Sequence, residues 1–224
     1  MAADTEFPQK IGASVMGINV FTTPRERLDE LIVTLGAIAD LADSHALPRN
    51  MHSSFHRAIE APIVVNYVQY KEREGALELA NLARPLVDRT HEISSAHEMR
   101  WYETADVVTA AGDSDSFSVV AGKEAVAVIG VYVVDPDKRA ELLAALKRYA
   151  ESVRTAEGFK AIAILQGRKP EHAATYELWT NEAAYDRAAA EAAQLAMERV
   201  RSIASNTLIH SYEVVRVNRH RGAA

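Results

Sequence analysis

Apolar residues along this chain follow two spacings in turn, and the whole alternation occurs twice. Gly12 to Thr22 has the dense apolar run of a strand, after which Leu28, Leu31, Ile32, Leu35, Ile38, Ala39 and Ala42 recur at helical spacing. Between them, Thr23-Pro24-Arg25-Glu26 reads as a capping box with proline at the first helical position, so a helix is expected to begin there. Past Leu47-Pro48, Asn50 to Ala58 and Ile63 to Lys71 read as strands divided by Glu60-Ala61-Pro62. A second helix is expected from about Glu72 to Thr90, kinked or ended early by Pro85, which lacks an N–H and clashes with the preceding turn. His97 to Val107 closes this half as a fourth strand.

The second half repeats that order. A strand over Ala125 to Val134 meets Asp135-Pro136-Asp137, an N-cap with proline in the first turn. A helical stripe follows at Leu142, Leu143, Leu146, Tyr149, Ala150 and Val153. Strands are expected at Phe159 to Gln166 and His172 to Trp179, then an alanine-rich helix from about Glu182 to Ser205 and a strand from Leu208 to Val217. Pro24 aligns with Pro136, Tyr67 with Tyr176, Tyr70 with Trp179, and Tyr102-Glu103 with Tyr212-Glu213, at offsets of about 109 to 112. The order is βαββαβ twice, which makes each half a ferredoxin-like unit with both helices on one face of an antiparallel sheet. Strands such as Ala125-Val126-Ala127-Val128-Ile129 are apolar at both parities, so the other sheet face is expected to be buried too. The fold class is therefore α+β, two tandem ferredoxin-like units whose antiparallel sheets are expected to pack on each other within the chain as a fused pseudo-dimer. The first unit is expected over residues 10–108, a small and polar linker over 109–122, and the second unit over 123–218.

Composition narrows the function classes. With 48% hydrophobic and 25% charged residues, the chain reads as globular rather than disordered. It contains no cysteine, which removes thiolate nucleophiles, thiolate metal sites and disulfides from consideration. Net charge is −6; Lys+Arg and Asp+Glu number 10 and 16 through Gly112, then 15 and 15, so no basic face for nucleic acid emerges. No apolar run reaches the roughly 20 residues of a membrane span, and the N-terminus lacks the pattern of a secretory signal, so a cytoplasmic location is expected.

Glu157-Gly158-Phe159-Lys160-Ala161 and Tyr176-Glu177-Leu178-Trp179-Thr180-Asn181-Glu182-Ala183-Ala184-Tyr185, with the Asp-Pro-Asp-Lys helix start, resemble the antibiotic biosynthesis monooxygenase domain family. The first half resembles it through architecture and aligned positions, with Tyr70 in place of the family tryptophan. The resemblance implies a dimeric α+β barrel whose two units are both supplied by this chain. It also implies oxygenation of an electron-rich aromatic, polyketide-like or quinol-like, by dioxygen without flavin, haem or metal. No phosphate-cradling glycine loop, dinucleotide fingerprint or histidine-rich metal spacing is present, and no cofactor is expected. A haem-degrading branch of the same superfamily uses Asn on strand one, Trp ending strand three and His on the second helix. Here the first half offers Asn19, Tyr70 and His91, and the second offers Trp179 with Gly130 or Val131 and Met197, so a haem site remains an alternative, as does a barrel that binds small molecules without chemistry.

Strand parity groups the candidates, because alternate residues share a face. Tyr70 shares one with Asn66 and Val68, so a phenol and an amide could donate hydrogen bonds to an oxyanion. Asn19 lies within an apolar strand, where an amide is costly unless paired. His97 shares a face with Met99 and Trp101, and its imidazole titrates near neutrality. Asn19, Tyr70 and His97 are the catalytic candidates; Asn66, Trp101, Trp179, Glu177 and His210 are the substrate-binding candidates. Trp179, on one face with Thr175 and Glu177, reads equally as a core aromatic, and His210 pairs with Tyr212 on the last strand. His52 and His56 lie about 13 Å apart at strand rise, too far for one metal, and no metal site is expected. The working pocket could belong to the more polar first half or to the second, which keeps the family tryptophan. The expected partners are a small aromatic substrate and dioxygen, with no nucleic acid and no membrane; the outer faces could pair again to form a homodimer.

Overall fold

The computed structural model describes residues 15–45, 50–112, 117–191 and 193–219. The expected strand start at Gly12 and the Leu47-Pro48 break lie outside the described residues. The first half runs β1 (Val15–Thr22), α1 (Leu28–Ser44), β2 (Asn50–Ala58), β3 (Ile63–Tyr70), α2 (Glu74–Leu82), α3 (Arg84–Ile93) and β4 (Ala96–Thr109). The second runs β5 (Gly122–Val134), α4 (Arg139–Val153), β6 (Phe159–Gly167), β7 (His172–Trp179), α5 (Glu182–Glu191), α6 (Gln194–Ile203) and β8 (Ala204–Arg219).

Each expected second helix is two helices. Pro85 sits in the first turn of α3 and ends α2 ahead of it, as its missing N–H requires. The proline-led helix starts form without the expected side-chain caps. A 3-10 turn over Arg25–Arg27 precedes α1, Pro24 O accepts from the Arg27 N–H at 2.8 Å, and Thr23 Oγ1 lies 3.4 Å from Ser94 Oγ instead. Asp135 likewise leads into a 3-10 turn, Pro136–Lys138, without capping through its side chain.

All eight strands join one closed antiparallel barrel in the order β1-β3-β2-β8-β5-β7-β6-β4. Each half contributes four adjacent strands in the ferredoxin order, and the halves meet edge to edge through β2 with β8 and β4 with β6. Closure leaves neither sheet with an exposed edge. Inside, Tyr67, Tyr102, Tyr176 and Tyr212 are buried among aliphatic residues from both halves. The repeat partners Tyr67 and Tyr176 meet there with ring centroids 5.0 Å apart. His56 is also enclosed; its Nε2 is 2.8 Å from the Tyr176 hydroxyl, and burial lowers its pKa to about 4, which keeps it neutral. Outside, the helices cover the opposite sheet face: α4 to α6 over the second half's strands, and α1 to α3 over the first half's. No described helix is long and apolar enough to cross a membrane.

Candidate functional site

The outer face of the first half's sheet is not fully covered by its helices. Between them lies a cleft of about 320 Å³, with β1, β2, β3 and β4 as floor and α1, α2 and α3 as roof. Register places the floor residues side by side. Asn19 of β1 lies opposite Asn66 of β3 and Met99 of β4, while Gly17 lies opposite Val68 and Trp101. Alternation then turns Asn19, Asn66, Tyr70, His97, Met99 and Trp101 toward the helices. Five of the eight candidate residues from the sequence therefore line one cleft: Asn19, Asn66, Tyr70, His97 and Trp101. Gly17 makes this floor possible, because a Cβ there would stand 3.1 Å from Met99 Cε and 3.6 Å from the Trp101 ring.

The polar groups are spread along the cleft. At one end His97 stacks on Phe21, with centroids 4.4 Å apart and planes 13° apart, and meets His91 of α3 edge-on at 4.9 Å. Its Nε2 lies 3.3 Å from Asn19 Oδ1. Desolvation, then the neighbouring His91, lowers its pKa below the ordinary 6.5, so the ring is neutral at pH 7. A neutral ring that donates Nε2–H to Asn19 keeps its lone pair on Nδ1. In the middle, Asn66 Oδ1 and the buried Ser53 Oγ have no hydrogen-bond partner among the described residues. At the other end Tyr70 packs against Trp101 at 5.9 Å, and burial holds its phenol far above the ordinary range and thus protonated. Arg73, just past β3, places its guanidinium 5.8 Å from the Trp101 ring centre.

The other three candidates lie elsewhere. Trp179 and Glu177 are enclosed between the second half's sheet and α4 to α6, where Trp179 packs on Phe159 and Tyr185. Glu177 accepts hydrogen bonds from Tyr149 Oη at 3.0 Å and Trp179 Nε1 at 3.1 Å. Burial raises its carboxyl to about 7 against those two donors. His210, opposite Ile129 on β8, stands on the barrel's inner face beside Tyr212. The position matching the Asn19 and Asn66 pair is Gly130 opposite Thr175. Tyr132 fills the space there: a Cβ on Gly130 would lie 2.5 Å from the Tyr132 hydroxyl and 2.7 Å from Thr175 Oγ1.

Residues 125–200 match the family model described as antibiotic biosynthesis monooxygenase. The second half is therefore similar to that family over the stretch that holds Trp179. The solved structure of an anthrone oxidase-like protein superposes with a TM-score of 0.81 at 21% identity, covering 95% of each chain. A Lactobacillus acidophilus protein provisionally named a monooxygenase gives 0.63 at 11% identity, over 93% of this chain and 97% of that one. A major regulator of staphylococcal pathogenesis gives 0.51 at 11%, over 90% and 99%. No curated protein sequence matches the chain. At such identities these likenesses establish the fold, and chemistry has to be argued from the site.

The family match and the cleft fall in different halves. The antibiotic biosynthesis monooxygenase signature around Trp179 lies in the unit whose corresponding space is filled, and the cleft lies in the unit where Tyr70 replaces that tryptophan. Arg73, Ser53, Phe21 and Gly17 also border or shape the cleft and were absent from the sequence-derived candidates. The only signal for Arg73 was its place three residues after Tyr70, at the end of a strand already under consideration.

Proposed function

We propose that the first-unit cleft is the active site of a cofactor-independent monooxygenase that oxidises a small aromatic of the polyketide or quinol type with dioxygen. The observation that carries this reading is a neutral imidazole beside an amide pair in one aromatic-walled cleft, with a protonated phenol at its other end. His97 accepts the proton of an acidic hydroxyl or carbon acid at Nδ1, with Asn19 holding the ring through Nε2. Asn19 donates through Nδ2 to the oxygen on which charge develops, and Tyr70 donates to a polar group at the other end of the substrate. The deprotonated substrate is itself the reductant: it gives electrons to dioxygen, a carbon–oxygen bond forms, and a hydroperoxide results. Loss of water from that hydroperoxide leaves one oxygen atom in the product carbonyl and the other in water. The volume is at the small end of ligand pockets and suits two or three fused rings. Although Asn19 and His91 both border it, the cleft as it stands is smaller than a porphyrin with its propionates, so no step is assigned to haem. Oxygen uptake with a dihydroxynaphthalene or an anthrone, in the presence of a chelator, tests the reading. Uptake that falls in Asn19→Ala supports it, and no uptake across a varied panel overturns it.

A further inference from the structure

We propose that the cleft selects aromatic substrates carrying a carboxylate at the end remote from the ionising hydroxyl, with Arg73 as the residue that pairs with it. The inference rests on the active-site reading above and adds a substrate class to it. Arg73 borders the cleft over the Trp101 ring, and no carboxylate among the described residues pairs with it. Most other arginines of known surroundings are held by acids, as Arg57 is by Asp29 and Arg216 by Asp40. No Asp or Glu borders the cleft, although the chain carries 31 acids against 25 Lys and Arg. Glu72 and Glu74 flank Arg73 in sequence without reaching the cleft. The cleft is thus a place of positive or neutral lining in an acidic protein, which favours an anion by charge complementarity.

Geometry sets where the anion sits relative to the reacting group. Trp101 and His97 lie four residues apart on β4, about 13 Å at strand rise. A flat molecule lying on Gly17 and Met99 with its carboxylate at Arg73 would direct its far end toward His97 and Asn19. A planar guanidinium suits a carboxylate through paired donors, and its stacking on Trp101 orients it.

Calorimetric titration of the full chain with 6-hydroxy-2-naphthoate and 2-naphthol, at pH 7.5 and low salt, tests this. The two probes share ring and hydroxyl and differ in the carboxylate. We expect the wild type to bind the naphthoate about fivefold tighter, a modest factor because Arg73 is solvent-exposed. In Arg73→Gln the two affinities should converge, with 2-naphthol unchanged, and Arg73→Lys should keep part of the preference. Equal wild-type affinities, or a preference that survives Arg73→Gln, overturns the inference. An Arg73-dependent preference without oxygen uptake from any carboxylated substrate would sustain this inference and remove the oxygenase reading. Uptake from uncharged naphthols with no carboxylate preference would do the reverse, and failure of both probes to bind would remove both.

Discussion

At the scale of single residues, the cleft depends on groups whose protonation is set by burial. Tyr70 is a donor across the whole working pH range because desolvation holds its phenol protonated. Tyr70→Phe keeps the ring against Trp101 and removes a donor at the end of the cleft remote from His97, so KM is expected to rise about fivefold with little change in kcat. As the proposed base, His97 would accept a proton only when neutral, so kcat/KM should fall as pH drops below the ordinary 6.5, beginning lower than for an unperturbed imidazole. In His97→Gln that acidic limb should vanish from the pH–rate profile, and a persistent limb would assign the titration to another group. Glu177 makes a prediction about stability. Its carboxyl titrates near 7 in the folded chain and near 4.5 when unfolded, so stability is fully present below 4.5 and declines as pH rises through 7. The gap corresponds to about 3 kcal/mol. Glu177→Gln keeps an acceptor for Tyr149 and Trp179 and should flatten the decline in melting temperature between pH 5 and pH 8. Much of this residue-level picture was legible in the sequence. Strand period alone put Tyr70 with Asn66 and His97 with Trp101. Arg73 was not legible, because it belongs to a turn, where no period constrains direction.

At the scale of elements, the two halves show what one architecture does with different side chains. Gly130 has no room above it, so Gly130→Ala forces Tyr132 and Thr175 apart and should cost about 1–3 kcal/mol, measurable as a lower denaturant midpoint. Gly17→Ala meets the flexible end of Met99 rather than a buried ring, so its stability should change by less. It should instead weaken aromatic ligands, because Met99 and Trp101 would move into the cleft. A large stability loss at Gly17 with normal ligand binding would contradict this account. Prolines announced the helix starts and the break before α3. The division of the last helix into α5 and α6 was hidden, since an alanine-rich run carries no stop signal. β4 and β8 run to 14 and 16 residues, longer than their apolar patterns, because each pairs with a strand of the other half.

At the scale of the whole molecule, closure ties the halves together by backbone hydrogen bonds at two seams and by side chains across them. Arg216 of β8 lies over Gly36 of α1 and pairs with Asp40. A chain limited to residues 117–219 would leave β6 and β8 with one unpaired edge each. Such a fragment is expected to self-associate, β6 of one copy against β8 of the next, and to sediment as a dimer or larger; a well-folded monomer would show the seams to be dispensable. The repeat made two units legible from the sequence, and strands apolar at both parities showed that both sheet faces were buried. Which edges join was not legible, since pairing between halves is carried by main-chain groups common to every residue.

Tyr132 lying back over Gly130 has a consequence for how such a molecule can change over generations. Where two identical copies assemble, any substitution that fills one site fills both, and the activity disappears with it. Two copies in one reading frame are released from that symmetry. One can trade its cavity for a packed interior while its neighbour keeps open space, so a single chain divides labour between a scaffold and a workshop.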